Sequence, residues 1–118
     1  MKTEFKNFIG VDISKNTLDI YLIKSDGEVQ IFLIKNEKVS ILKNFGNIFK
    51  TQNISKDNTL ICAEHTGHYG NILSDVMQQE LYEFWLADPY TIMHSQGITR
   101  GKNDKIDAKG LAQMCAEQ

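Results

Sequence analysis

The sequence predicts an α/β fold, a mixed sheet of antiparallel and parallel strands with helices on its faces. Three observations predict it. Two runs rich in β-branched and aromatic residues, 8–13 and 17–23, flank the polar break Ser14-Lys15-Asn16, the pattern of two strands joined by a tight hairpin. Apolar side chains then recur at helical spacing through residues 37–50, 66–79 and 104–118. Between those stretches lie short, mostly apolar runs at 59–63 and 82–87, which suit strands of a sheet that helices cover.

Residues 1–7 read as a polar lead-in. The first strand is apolar on both alternating faces and is therefore expected at the centre of the sheet, where its one carboxylate, Asp12, is costly to bury unless it is paired or ligates a cation. Beyond the second strand, Ser25-Asp26-Gly27-Glu28 has turn chemistry with a glycine able to take a positive φ, and residues 29–34 complete an antiparallel meander. Residues 37–50 read as an amphipathic helix resting on Val39, Leu42, Phe45, Ile48 and Phe49, with Asn36 as candidate N-cap. After a polar loop, the strand 59–63 ends at Glu64, and Thr66-Gly67 opens a helix whose buried stripe is Tyr69, Ile72, Leu73 and Val76. The fifth strand, 82–87, is closed by Asp88-Pro89, which starts a short helix to about His94. A loop over 95–103 then leads to a final helix with Ile106, Leu111, Met114 and Cys115 on one face. That helix meets no stop signal before the sequence ends, the pattern of a chain cut from something longer. The ribonuclease H-like fold has this order of elements.

At 118 residues the chain is expected to form a single domain, 1–118, and 42% hydrophobic with 24% charged residues is ordinary for a globular class. No uncharged apolar run reaches the roughly 18 residues of a membrane span, and no apolar signal region follows the first lysines, so the sequence reads as intracellular. Two cysteines, Cys62 and Cys115, make neither a metal nor a disulfide framework and read as reduced and structural. The net charge of −2 argues weakly against a nucleic-acid partner, but Arg100, Lys102, Lys105 and Lys109 form a local cationic segment if Asp104 and Asp107 hold metal.

Four carboxylates stand where apolar elements end: Asp12, Glu64, Asp104 and Asp107. The last two, at i and i+3 of the predicted final helix, share one helical face. Glu64 falls at the carboxyl end of its strand, where open α/β sheets place their ligand crevice, and Asp12 is expected beside it. A cluster of acids without His or Cys suits a hard cation such as Mg²⁺, and phosphoryl transfer on nucleic acid is the chemistry it implies. Plainer readings stand alongside. Asp104 caps the last helix with Asp107 as its capping-box partner, Glu64 caps the following helix by charge, and Asp19 faces solvent in mid-strand. His65 and His68 lack the further ligands of a zinc site, and Phe84, Trp85 and Tyr90 read as packing rather than a base-stacking platform.

Three ordered motifs carry a resemblance: Gly10-Val11-Asp12-Ile13-Ser14-Lys15, Glu64-His65-Thr66-Gly67-His68-Tyr69, and Arg100-Gly101-Lys102-Asn103-Asp104-Lys105-Ile106-Asp107-Ala108. The chain resembles the N-terminal DEDD domain of insertion-sequence one-ten transposases, relatives of the Piv invertases and similar in fold to RuvC junction resolvases. The resemblance implies that Asp12, Glu64, Asp104 and Asp107 are the family's acidic tetrad and bind Mg²⁺ or Mn²⁺. It also implies DNA as substrate, a separate C-terminal domain supplying a serine nucleophile, an element-encoded guide RNA, homo-oligomers of the full protein and a bacterial, nucleoid-associated location. The sequence departs from the family in having Asp88-Pro89 for Asn-Pro and Asn103 for Thr before Asp104; Asn103 caps a helix as Thr does. The rival readings are a RuvC-like junction nuclease that uses water, a nucleotide-binding half of the sugar-kinase or actin type, and a non-catalytic RNA-binding or dimerisation module.

Overall fold

Strand alternation and helix phase sort the side chains of this chain into two cores on opposite faces of one sheet. The computed structural model describes residues 5–64, 67–87 and 107–117. The five strands are β1 (Asn7–Ile13), β2 (Thr17–Ile23), β3 (Val29–Lys35), β4 (Thr59–Glu64) and β5 (Glu83–Ala87), in the spatial order β3-β2-β1-β4-β5. β1 is central, as its two apolar faces predict; it pairs antiparallel with β2 and parallel with β4, and β5 pairs parallel with β4. The meander closes through Gly27, whose φ of +90° is costly for any residue with a Cβ.

One face carries Ile9, Val11 and Ile13, Leu18, Ile20 and Leu22, and Ile61 and Ala63, all buried beneath the helices α1 (Lys38–Thr51) and α2 (Asn71–Gln79). The other face carries Phe8, Leu60, Cys62, Trp85 and Ala87 against Leu111, Met114 and Cys115 of α3 (Ala108–Ala116). Beyond α3, Val29, Ile31 and Leu33 of the edge strand β3 stay exposed on this second face.

Several elements differ from expectation. α1 buries Ile41, Phe45, Ile48 and Phe49, whereas Val39 is 75% exposed: positions i, i+4, i+7 and i+8 make the tighter stripe, and Val39 lies off it. Its N-cap is Glu37, not Asn36, and no side chain caps it. The predicted helix over 66–79 divides into a 3₁₀ turn, Gly67–Gly70, and α2. The turn resets the helical phase, so Leu73, Val76 and Met77 are buried while Tyr69 and Ile72 are partly exposed. The last helix begins at Ala108 with Asp107 as its cap, so Asp107 stands just before the helix rather than within it. Asp104, the helix expected over 89–94 and the loop over 95–103 lie outside the described residues. No helix among the described residues is long and apolar enough to cross a membrane.

Candidate functional site

The parallel register of β1 and β4 runs from Asn7 beside Thr59 to Val11 beside Ala63. One step further along come Asp12 and Glu64, at the carboxyl ends of both strands. Alternation aims both side chains at the α3 face, because their neighbours Val11 and Ala63 point into the opposite core. Glu64 is 6% exposed and Asp12 half-buried, and both Asp12 Oδ1 and Glu64 Oε1 are shut off from solvent. The antiparallel register adds a third acid: Asp19 stands directly across from Asp12 on β2. Like charges so placed repel, which a shared cation would offset. The hairpin already contains this pairing, since Ser14 N–H bonds Thr17 O at 2.9 Å and the register counts outward from that closure to Asp12 and Asp19. Asp19 is exposed, as expected of a solvent-facing residue, and stands opposite Asp12.

Gly10 seats α3 on this face. A Cβ there would collide with the Ala108 carbonyl oxygen and lie 2.5 Å from Ala112 N, so the first turns of α3 rest on bare strand backbone two residues before Asp12. This close approach brings the N-terminus of α3 over the centre of the sheet. There Asp107, in extended conformation, accepts the Gly110 N–H at 2.8 Å through Oδ1. Asp107 is therefore itself the N-cap and not the capping-box partner three residues into the helix, and its second carboxylate oxygen has lone pairs to offer elsewhere. Lys109, the second residue of α3, is exposed.

Beneath Glu64 on the same face, Cys62 and Cys115 meet across the sheet–helix interface. A hydrogen bond between the two thiols, and then burial, push the Cys115 thiol up and keep it protonated. Among the described residues, the side chains at this end of the sheet offer carboxylate oxygens, which suit a hard cation of the Mg²⁺ class. Among the described residues no three His, Cys, Asp or Glu side chains converge as a ready-made metal cage. A cation of this class commonly takes only one or two protein carboxylates and fills its shell with water and substrate phosphate, and Asp12 and Glu64 are the residues here that could supply them.

A family model described as a transposase, the DEDD type of insertion sequence one-ten, matches residues 9–118. The chain belongs to that transposase family. The match takes in both acids on the sheet and the whole of α3. Among solved structures, this transposase domain is similar to Thermus thermophilus RuvC in complex with Holliday junction substrate, at 9% identity and a TM-score of 0.53 over 93% of this chain and 92% of that one. A second Thermus thermophilus RuvC structure gives 11% identity and a TM-score of 0.53 over 93% of each chain. A Bacteroides thetaiotaomicron protein with an actin-like ATPase fold and unknown function gives 10% identity and a TM-score of 0.55. The transposase domain is covered over 81% of its length by that protein and spans 39% of it. At such identities these likenesses bear on the fold alone, and the fold they support is RuvC-like, a ribonuclease H-like mixed sheet. No curated protein matches in sequence.

Of the other residues singled out in the sequence, His68 of this transposase domain is exposed and its ring lies 4.6 Å from that of Tyr69. Trp85 and Phe84 pack against the two cores, as expected of structural aromatics. Arg100, Lys102, Lys105, Asp88, Tyr90, His65 and His94 lie outside the described residues.

Proposed function

We propose that this chain is the metal-dependent catalytic domain of a DNA transposase, with Asp12 and Glu64 anchoring a divalent cation, Mg²⁺ or Mn²⁺, and Asp104 and Asp107 completing the site. The observation that carries the proposal is the register of β1 and β4, which sets two acids side by side at the carboxyl edge of the sheet. Membership of a transposase family supplies the reaction class. When bound, such a cation stabilises charge on the oxygens of a phosphodiester as it is displaced. The chain's own residues do the rest. Buried Asp12 and Glu64 oxygens present a fixed pair of acceptors, Asp107 adds an oxygen from the head of α3, and Lys109 with Arg100, Lys102 and Lys105 draws the phosphate backbone in. That last attraction weakens with added salt.

In this reading the chain is one domain of a longer recombinase, in which a C-terminal domain provides a serine nucleophile, an element-encoded RNA guides the target and the full protein works as a homo-oligomer. Replacing Asp12 by Asn keeps the size and polarity of the side chain and removes its charge. Calorimetric titration with Mg²⁺ is expected to lose its binding signal in Asp12→Asn while the melting temperature stays within a few degrees of wild type. Unchanged Mg²⁺ affinity refutes the proposal.

A RuvC-like nuclease that uses water is the second reading, favoured by the likeness to RuvC across nearly all of both chains. Branched DNA and Mg²⁺ separate the two. Cleavage by this chain alone supports the nuclease, and cleavage only in the presence of the serine domain supports the transposase.

A further inference from the structure

Asn36, at the exit of β3, is 7% exposed and caps no helix. Its Nδ2 donates to two backbone carbonyls, Ser14 O and Tyr69 O, each at 2.9 Å, and its backbone N–H donates to Asn16 O at 2.9 Å. Ser14 follows Asp12 by two residues, and Tyr69 lies in the turn that follows Glu64. Two carbonyls bonded to one nitrogen can lie no farther apart than twice the hydrogen-bond length, so a single amide ties the segment leaving β1 to the turn that follows β4. A second contact fastens the same turn: a Cβ on Gly70 would come 3.2 Å from Ile13 Cδ1, which places the turn on the residue next after Asp12. Asn36 Oδ1, meanwhile, is buried with no hydrogen-bond partner among the described residues. A side chain present only to fill space need not carry that cost.

We infer that Asn36 is a positioning residue: by tying Ser14 O to Tyr69 O it sets the separation of the Asp12 and Glu64 carboxylates and hence the affinity of the site for a divalent cation. The inference rests on the metal reading of those two acids given above. Holding both carbonyls at once takes a side chain with at least two N–H donors. Alanine holds neither, and serine holds one at most.

Mn²⁺ titration of the 118-residue chain, followed by the electron paramagnetic resonance signal of the free ion, tests it alongside thermal melting. Asn36→Ala is expected to bind Mn²⁺ about tenfold more weakly than wild type, the usual loss when a residue supporting metal ligands is removed. Ile41→Val, which weakens the core on the far side of the sheet, is expected to lower the melting temperature and leave the affinity alone. That contrast separates positioning from general loosening. If Asn36→Ala does not fold, Asn36→Ser takes its place with a smaller loss expected. A folded Asn36→Ala or Asn36→Ser with wild-type affinity overturns the inference, as does an equal loss in Ile41→Val. A wild-type chain that takes up no Mn²⁺ overturns the metal reading itself and this inference with it.

Discussion

Asp107 answers to two demands that can be separated by substitution. One oxygen accepts the Gly110 N–H and so satisfies a donor that the first turn of α3 leaves without an intrahelical partner. The proposed second duty, toward a cation, depends on charge. Asn caps helices about as well as Asp, so Asp107→Asn is expected to keep the stability of the chain and lose affinity for Mg²⁺. Asp107→Ala is expected to lose both, with about 1 kcal/mol of unfolding free energy gone, as read by urea titration. If the two variants match in both measurements, cap and cation site are not separable at this position. The acid was legible in the sequence; its place before the helix was not, because periodicity locates a helix better than it locates the helix's first residue.

The seating of α3 on β1 depends on a missing side chain. Because the Ala108 carbonyl and the Ala112 nitrogen occupy the space a Cβ on Gly10 would need, Gly10→Ala must push the helix off the strand. The atoms in the way are backbone, which no rotamer change moves aside. The expected result is a loss of several kcal/mol in urea unfolding, at the high end of single substitutions, with loss of amide protection through α3. On the opposite face, Tyr82 joins the start of β5 to α1, its ring 5.9 Å from that of Phe45 and 5.0 Å from that of Phe49, with Lys56 Nζ 4.5 Å above it. Burial, and then the nearby Glu80, raise its phenol above the ordinary value of 10.0. A folded value above the unfolded one means that this stabilisation is complete below about pH 10 and is lost as pH climbs through the raised value. Tyr82→Phe is expected to flatten that alkaline loss, which denaturant titrations at increasing pH would measure.

At the scale of the whole molecule, the sheet was readable because each strand declared its place. β1 is apolar on both faces and is central, and β4 ends in Glu64 just as β1 ends near Asp12, so their adjacency followed once they were parallel neighbours. What was not readable depends on contacts between segments distant in sequence. Asn36 has the residue type of a helix cap and the right position for one, yet Ser14 and Tyr69 claim its amide. The stripe of α2 differs from expectation because Gly67, with φ of +77°, starts a 3₁₀ turn, with fewer residues per turn than an α-helix, before the α-helix begins. Gly10's role was not readable either, since nothing local says which helix will lie on it. The sheet's outer margin has a practical bearing as well. β3 presents an unbroken seven-residue rim with Ile31 70% and Leu33 66% exposed, and nothing between Val29 and Ile34 carries a charge or a proline to deter another strand. Self-association through that rim is expected to limit solubility at the concentrations calorimetry needs, and Ile31→Lys, on an exposed position, to relieve it in light scattering without moving the melting temperature.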